Sequence, residues 1–517
     1  MKQFLRNFAI LLLCIICFSC KEEKQQGANE KMTKNYQEDY RPQFHFSPEE
    51  KWMNDPNGLV YHEGVYHLFY QYYPNDIVWG PMHWGHAVSE DMIHWEHKPI
   101  ALFPDEHGLI FSGSAVVDVV NSSGLGTIEN PPLVAIFTYH LMEAEEASRN
   151  DYQTQGIAYS LDNGDTWTKY KGNPVIKNDG IKDFRDPKVF WNNITEEWTM
   201  LLVAGDHLQI WSSENLIDWK KESEFGKNQG AHGGVWECPD IFPLKVEGTE
   251  QEKWVLLISI NPGAPNGGSG TQYFIGDFDG TTFTSEQKEH RWIDWGTDNY
   301  AGVTYNNVPN NDRIFIGWMS NWDYAQDIPT ERWRSSMTVP RKLSLKKIGE
   351  AYELVNYPLE SFDGSVEKGT SQDFDLDIGK EKQFSFENFN QSEVKFTTSA
   401  KSFNLIFKNE KNEELVLLMD NQNQLFSIDR SKSGKIDFKE SFGKTQNMPI
   451  PNLPKEAYEV RILMDWSSIE VFINKGQYVM TAQIFPNEDY TNLIIENTSE
   501  DSGTFKDFEI NKVKSIW

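Results

Sequence analysis

One unit, written four times, constrains this chain more than any other feature. Ser89-Glu90-Asp91-Met92-Ile93-His94-Trp95, Ser160-Leu161-Asp162-Asn163-Gly164-Asp165-Thr166-Trp167, Ser213-Glu214-Asn215-Leu216-Ile217-Asp218-Trp219 and Asp277-Phe278-Asp279-Gly280-Thr281-Thr282-Phe283 are variants of a strand, a polar turn and an aromatic anchor. The anchors fall at 95, 167, 219 and 283, intervals of 72, 52 and 64 residues. Such a spacing holds one four-stranded sheet per unit, and sheets repeated radially bury their faces on one another as the blades of a β-propeller. Helical periodicity is nearly absent. With strand-like segments near Arg313 to Ser320, the chain is expected to build five blades over residues 41–345, with Trp95, Trp167 and Trp219 as blade packing.

Past Pro340-Arg341-Lys342-Leu343 the composition shifts toward Lys, Glu, Asn and Gln. Alternating runs at Phe403 to Phe407, Glu414 to Met419, Val460 to Met464 and Ser468 to Ile473, separated by polar turns, read as short strands. The fold class expected is therefore all-β: a five-bladed β-propeller, a linker over 346–357 and a C-terminal β-sandwich over 358–517.

The N-terminus carries Lys2 and Arg6, an apolar run from Phe8 to Phe18, and Ser19-Cys20 followed by Lys21-Glu22-Glu23. This reads as an export signal over 1–20, its apolar run short for a bilayer span. Its cysteine stands where a bacterial lipoprotein is lipidated, although Cys17 replaces the leucine usual three residues earlier. Residues 21–40, polar and poor in packing groups, read as a flexible tether. The protein is thus expected to be exported and held by lipid on Cys20, in the periplasm or at the cell surface.

Of four cysteines, only Cys238 lies outside the export segment, so no disulfide framework forms. No cysteine or histidine cluster has metal spacing, and neither metal nor cofactor is expected. The net charge of −29 disfavours nucleic acid and docking on anionic lipid, leaving a lipid chain as the membrane contact and a neutral molecule as the best substrate.

Three stretches carry chemistry: Trp52-Met53-Asn54-Asp55-Pro56-Asn57-Gly58, Phe184-Arg185-Asp186-Pro187 and Trp236-Glu237-Cys238-Pro239-Asp240. Pro56 and Gly58 are expected to hold Asp55 in a sharp turn. Each stretch sets an acid near a proline, and inner propeller strands deliver their residues to one central funnel. Converging carboxylates are what glycoside hydrolysis needs, one as nucleophile and one as proton donor.

In order and on this architecture the three stretches resemble the signatures of glycoside hydrolase family 32, the β-fructofuranosidases. Asp465-Trp466-Ser467-Ser468-Ile469-Glu470-Val471-Phe472 is similar to the marker of the family's C-terminal sandwich. The resemblance runs from about residue 40 to the end. It implies Asp55 as nucleophile, Glu237 as general acid and then base with retention of configuration, and Asp186 binding fructose hydroxyls, kept ionised by Arg185. It implies a sugar pocket lined by Asn54, Gln71, Trp79, Phe111, Ser112, Tyr300 and Trp318, and a raised Glu237 pKa supplied by charged Asp55. Cys238 is expected to be a small buried neighbour of Glu237.

The substrate implied is a fructan or fructo-oligosaccharide (levan or inulin, with sucrose beside them), cut at chain ends. The exo reading comes from Gly317 to Thr330, where Trp318, Trp322 and Tyr324 resemble the funnel wall of exo-acting levanases and inulinases. Three alternatives stay open here: an endo-acting fructanase, a fructosyltransferase, and a noncatalytic fructan-binding lipoprotein, which would be expected to lack one of the acids. Linkage preference and oligomeric state are not read from the sequence.

Overall fold

The computed structural model describes residues 36–420, 422–454 and 456–517. The export signal and the lipidation expected at Cys20 lie outside the described residues, as does most of the tether. From Tyr36 onward the tether reading is corrected. Tyr36 stacks on Trp517 at 4.0 Å and Tyr40 packs edge-on to Phe485 at 5.3 Å, because these rings find apolar partners.

Five sheets follow in chain order. Their first strands are Lys51–His62, Leu109–Val117, Phe184–Asn192, Val235–Lys245 and Tyr300–Thr304. Each first strand lies innermost, touches the next, and the fifth touches the first, which closes a ring. The result is a five-bladed β-propeller. Closure is reinforced where Trp333–Arg334, late in the fifth repeat, pairs in parallel with Lys51 and Trp52 of the first sheet. All other named strand pairs are antiparallel; the single α-helix among the described residues is Met142–Glu146.

The repeated units are the outer turns between third and fourth strands, and their composition is hydrogen-bond chemistry. Asp91 accepts from Ile93 N and His94 N at 2.8 Å, Asn215 from Ile217 N and Asp218 N, and Asp279 from Thr281 N and Thr282 N. A side-chain acceptor thus closes each turn over its own backbone. Trp167 and Trp219 then fold back to donate to Gly164 O and Leu216 O.

The linker expected over 346–357 is instead a hairpin of the fifth blade. Arg341–Ile348 and Ala351–Pro358 pair over eight positions about a turn at Gly349, whose φ of +61° suits glycine. Beyond it a seven-stranded and a six-stranded sheet pack face to face as a β-sandwich around Phe389, Phe407, Ile428, Ile462 and Val471.

Propeller and sandwich meet across buried charge. Arg341 donates to Asp294 and Glu470 at 2.9 Å and to Thr481 at 2.7 Å, and Arg430 donates to Asp298 at 3.0 Å. Asp465 of the sandwich marker accepts from Gln43 N, Phe44 N and the His45 ring, fixing the segment that leads into the propeller.

Candidate active site

All five inner strands break register at the same height, each by one extra residue. The breaks lie between Met53 and Pro56, Ile110 and Gly113, Arg185 and Lys188, Glu237 and Asp240, and Tyr300 and Val303. A bulge leaves residues unpaired and re-aims side chains, here toward the ring axis. It also explains the prolines: Pro56, Pro187 and Pro239 stand at bulges, where a missing N–H costs no ladder bond. Three bulge residues, Asp186, Cys238 and Ala301, adopt positive φ. The turn expected at Asp55-Pro56-Asn57-Gly58 is therefore a doubly bulged strand. Gly58 has φ +55°, and a Cβ there would lie 2.6 Å from the Phe69 ring.

The bulges frame a cavity of about 240 Å³ lined by Asn54, Asp55, Gln71, Trp79, Phe111, Ser112, Arg185, Asp186 and Glu237. That is smaller than most ligand pockets, about 300–1,000 Å³, and suits one sugar unit. Its floor is tied shut. Lys188 pairs with Asp240 at 3.2 Å and donates to Thr304 O, while Asn306 bonds Ala115 O and Val189 O, so four inner strands are cross-linked below the acids.

Asp55 accepts from Ser112 Oγ at 2.6 Å and Asn54 Nδ2 at 3.1 Å, and Asn54 is itself held by Trp52 Nε1. Burial raises its pKa, and these donors oppose the shift by favouring the carboxylate. The Asp186 backbone N–H donates to Thr138 Oγ1, and its carboxylate accepts from Cys238 N at 3.0 Å. Cys238, buried beside three acids, has its thiol pushed well up, by burial first and then by Asp186 and Asp55. It remains a thiol, 3.7 Å from Asp55 and 3.6 Å from Asp186.

Arg185 donates to Asp183 at 2.8 Å and to Glu237 Oε1 at 2.9 Å, but stands 4.0 Å from Asp186. Arg185 lowers the Asp186 pKa as expected, but burial outweighs it and pushes Asp186 up to about 6. Glu237, which also receives the Tyr300 hydroxyl, is pushed up to about 7. The main cause is again burial, opposed by Arg185, with Asp186 and then Asp55 adding like-charge repulsion. Asp55 is thus a lesser cause than expected.

Two expected pocket residues do not line the cavity. Tyr300 reaches the site only through its hydroxyl on Glu237. Trp318 is fully buried behind the wall, packed on Trp52 and Trp322, because the fifth inner strand is short and the second strand of that blade lies under it. Trp322 takes the wall position, and Tyr324 points away to Arg430 and Asp298.

Four lining residues belong to no motif read above, His140, Glu145, Gln153 and Asp183, whereas Trp322 belongs to the stretch read as the funnel wall. His140 stacks on Phe111 at 4.2 Å and bonds Glu145 of the short helix at 2.9 Å. Of these four only Asp183, two residues before Arg185, had a signal nearby.

Residues 45–358 match the family model described as "Glycosyl hydrolases family 32 N-terminal domain", and residues 358–512 match "Glycosyl hydrolases family 32 C terminal". A levanase of Bacillus subtilis is 46% identical over 497 residues, covering 93% of this chain and 72% of its own. An extracellular exo-inulinase of Aspergillus awamori is 41% identical over 520 residues, covering 93% and 96%. The crystal structure of the A. awamori exo-inulinase superposes with a TM-score of 0.85, covering 93% of this chain and 100% of that one. A fructofuranosidase from Schwanniomyces occidentalis, complexed with fructose, has a TM-score of 0.83 at 31% identity, covering 93% and 99%.

Proposed function

The chain belongs to glycoside hydrolase family 32, and from that premise we propose that its cavity releases fructose from the ends of fructans, and from sucrose, by a two-step retaining mechanism. The observation that carries the assignment of roles is the contrast between two acids. Both are buried, but Asp55 is held by two neutral donors, Ser112 and Asn54, that favour its carboxylate, whereas Glu237, against Arg185 and the Tyr300 hydroxyl and close to two acids, is pushed up to about 7.

In the first step an Asp55 oxygen bonds the anomeric carbon as the glycosidic bond breaks, and the Glu237 proton passes to the leaving oxygen. In the second, Glu237 takes a proton from water, the water oxygen bonds the anomeric carbon, and Asp55 departs as carboxylate. A pKa near the working pH lets one residue serve both steps. Arg185, in contact with Glu237, stabilises its charged form between them. Asp186, beside Cys238 N and Arg185, is assigned to the fructose hydroxyls. The catalytic unit is the propeller with its fifth-blade hairpin; the sandwich braces it.

The closed floor and the size of the cavity favour a chain end over an internal unit. With levan or inulin, fructose is expected as the dominant product from the earliest time point, and an early ladder of oligosaccharides overturns exo action. We also propose export and lipidation at Cys20. Cys20→Ala is expected to move the protein out of the membrane fraction or block maturation; unchanged partitioning with normal processing contradicts the anchor.

A further inference from the structure

The face of the propeller opposite the acids carries a second concavity. Six of the eight large apolar side chains exposed among the described residues lie in blades two and three on that face, Val119, Val120, Ile128, Leu161 and Ile194 in turns and Trp191 at the end of the inner strand Phe184–Asn192. Exposed apolar surface concentrated in this way marks a contact site. Between these turns and the Asn306–Arg313 segment of blade five runs a groove of about 430 Å³, larger than the catalytic cavity.

The groove is apolar at its base, through Val116, Val117 and Val308, but its remaining lining is not that of a lipid or core-like protein contact. Trp191 stands at its edge 40% exposed, its ring braced edge-on by Trp198 at 5.2 Å, and Trp198 is fixed by its indole N–H on Ser122. Asn193 and Asn311 present amides, while Asn307 in the same lining spends its Nδ2 on Tyr61 O. The Arg313 guanidinium, in the lining, lies over the Phe242 ring at 5.6 Å. The acid of the lining, Asp312, is paired with Lys342 at 2.8 Å. A rigid aromatic face flanked by amides and one donor-only cation, in a chain of net charge −29, fits a neutral polyhydroxylated chain: C–H faces on the indole, hydroxyl oxygens toward the amides and Arg313.

We infer that this groove is a second carbohydrate-binding site, which holds an internal stretch of the fructan polymer while a chain end occupies the catalytic cavity. The inference rests on the proposed fructan substrate. Holding the polymer at two places raises the local concentration of its ends without any new contact at the acids.

The test is electrophoresis of the full-length protein through native gels containing levan or inulin. It uses Asp55→Asn protein so that polymer is not consumed, and excess fructose to fill the cavity. Retardation is expected to persist in fructose and to weaken about threefold to tenfold with Trp191→Ala, the range one aromatic contact commands. Asn193→Ala, at an exposed position, is expected to weaken it less and covers the case in which Trp191→Ala misfolds. In the otherwise wild-type enzyme, Trp191→Ala is expected to leave kcat/KM on sucrose unchanged and to raise KM on the polymer. Retardation abolished by fructose, or unmoved by both substitutions, overturns the site. So does loss of self-association, or of sedimentation with phosphatidylcholine vesicles, on Trp191→Ala while retardation stays the same. Failure of the fructan reading itself is distinct, since it appears as absence of turnover on sucrose and on polymer alike.

Discussion

Glu237 retains its proton to about pH 7 although Arg185 lies 2.9 Å away, so burial among acids outweighs one guanidinium. The rate then depends on pH in a definite direction. kcat/KM is expected to fall as pH rises through about 7, because the free enzyme loses the proton it must donate. Stability moves the same way. The folded pKa lies above the ordinary 4.5, so this residue's contribution is fully present below that value and is lost as pH rises through about 7. Glu237→Gln is therefore expected to lose roughly 10²–10⁴ in turnover. Its Tm relative to wild type should rise between about pH 5 and about pH 8. Asp55→Asn is expected to be at least as inactive while remaining folded, and more than about a tenth of wild-type turnover in either variant contradicts the roles given. Chelators are expected to leave the rate unchanged, because Arg185 already supplies the positive charge between Asp183, Asp186 and Glu237; reversible loss on chelation would show a metal at work.

At the scale of the strand, function depends on five bulges at one height, and Gly58 shows how tightly one of them is specified. Gly58→Ala puts a methyl group against Phe69 and Trp84 at a positive φ. It is expected to cost about 1–3 kcal/mol in denaturant unfolding and to lower turnover by tilting Asp55, whereas wild-type stability and rate would contradict the bulge account. The bulges also explain what the sequence disclosed. Blade repeats were legible because Asp91, Asn215 and Asp279 must close their turns with their own side chains, a local requirement that leaves a local pattern. The acids of blades one, three and four were legible because proline sits beside or near each. Tyr300 and Trp318 were misplaced because the offset of the short fifth inner strand from its neighbour, which decides which ring faces the axis, is a property of pairing. His140, Gln153 and Glu145 reach the cavity through the fold of blade two and its short helix, and no motif marks them. The linker was misread because Lys342, Lys346, Lys347 and Glu350 make an edge hairpin look like loop composition.

Across the whole molecule, the sandwich holds the ring through ions that water does not reach. Arg341 and Glu470 are both fully buried, and Arg341→Ala leaves Asp294 without its cation and Glu470 with His45 alone, 3.8 Å away. A loss of about 3–5 kcal/mol in chemical denaturation is expected, and a near-neutral result would show that the two parts are held by packing alone. His45, enclosed by Asp465 and Glu470, has its pKa raised to about 9: burial lowers it, and the two acids overcome burial. Its stabilisation is fully present below the ordinary 6.5 and is lost as pH rises through about 9. The stability gap between wild type and His45→Gln should therefore narrow over that interval; a gap constant with pH contradicts a charged His45. The ring exists, on this account, to bring acids from separate blades into one two-step cycle, and that claim can be tested by trapping the intermediate. Glu237→Ala protein, given a fructoside with a leaving group that needs no protonation, should still form the covalent sugar ester and hydrolyse it slowly for want of a base. Mass spectrometry of the digested protein should then find a fructosyl adduct on the peptide carrying Asp55; no adduct, or an adduct on the peptide carrying Asp186, contradicts the account.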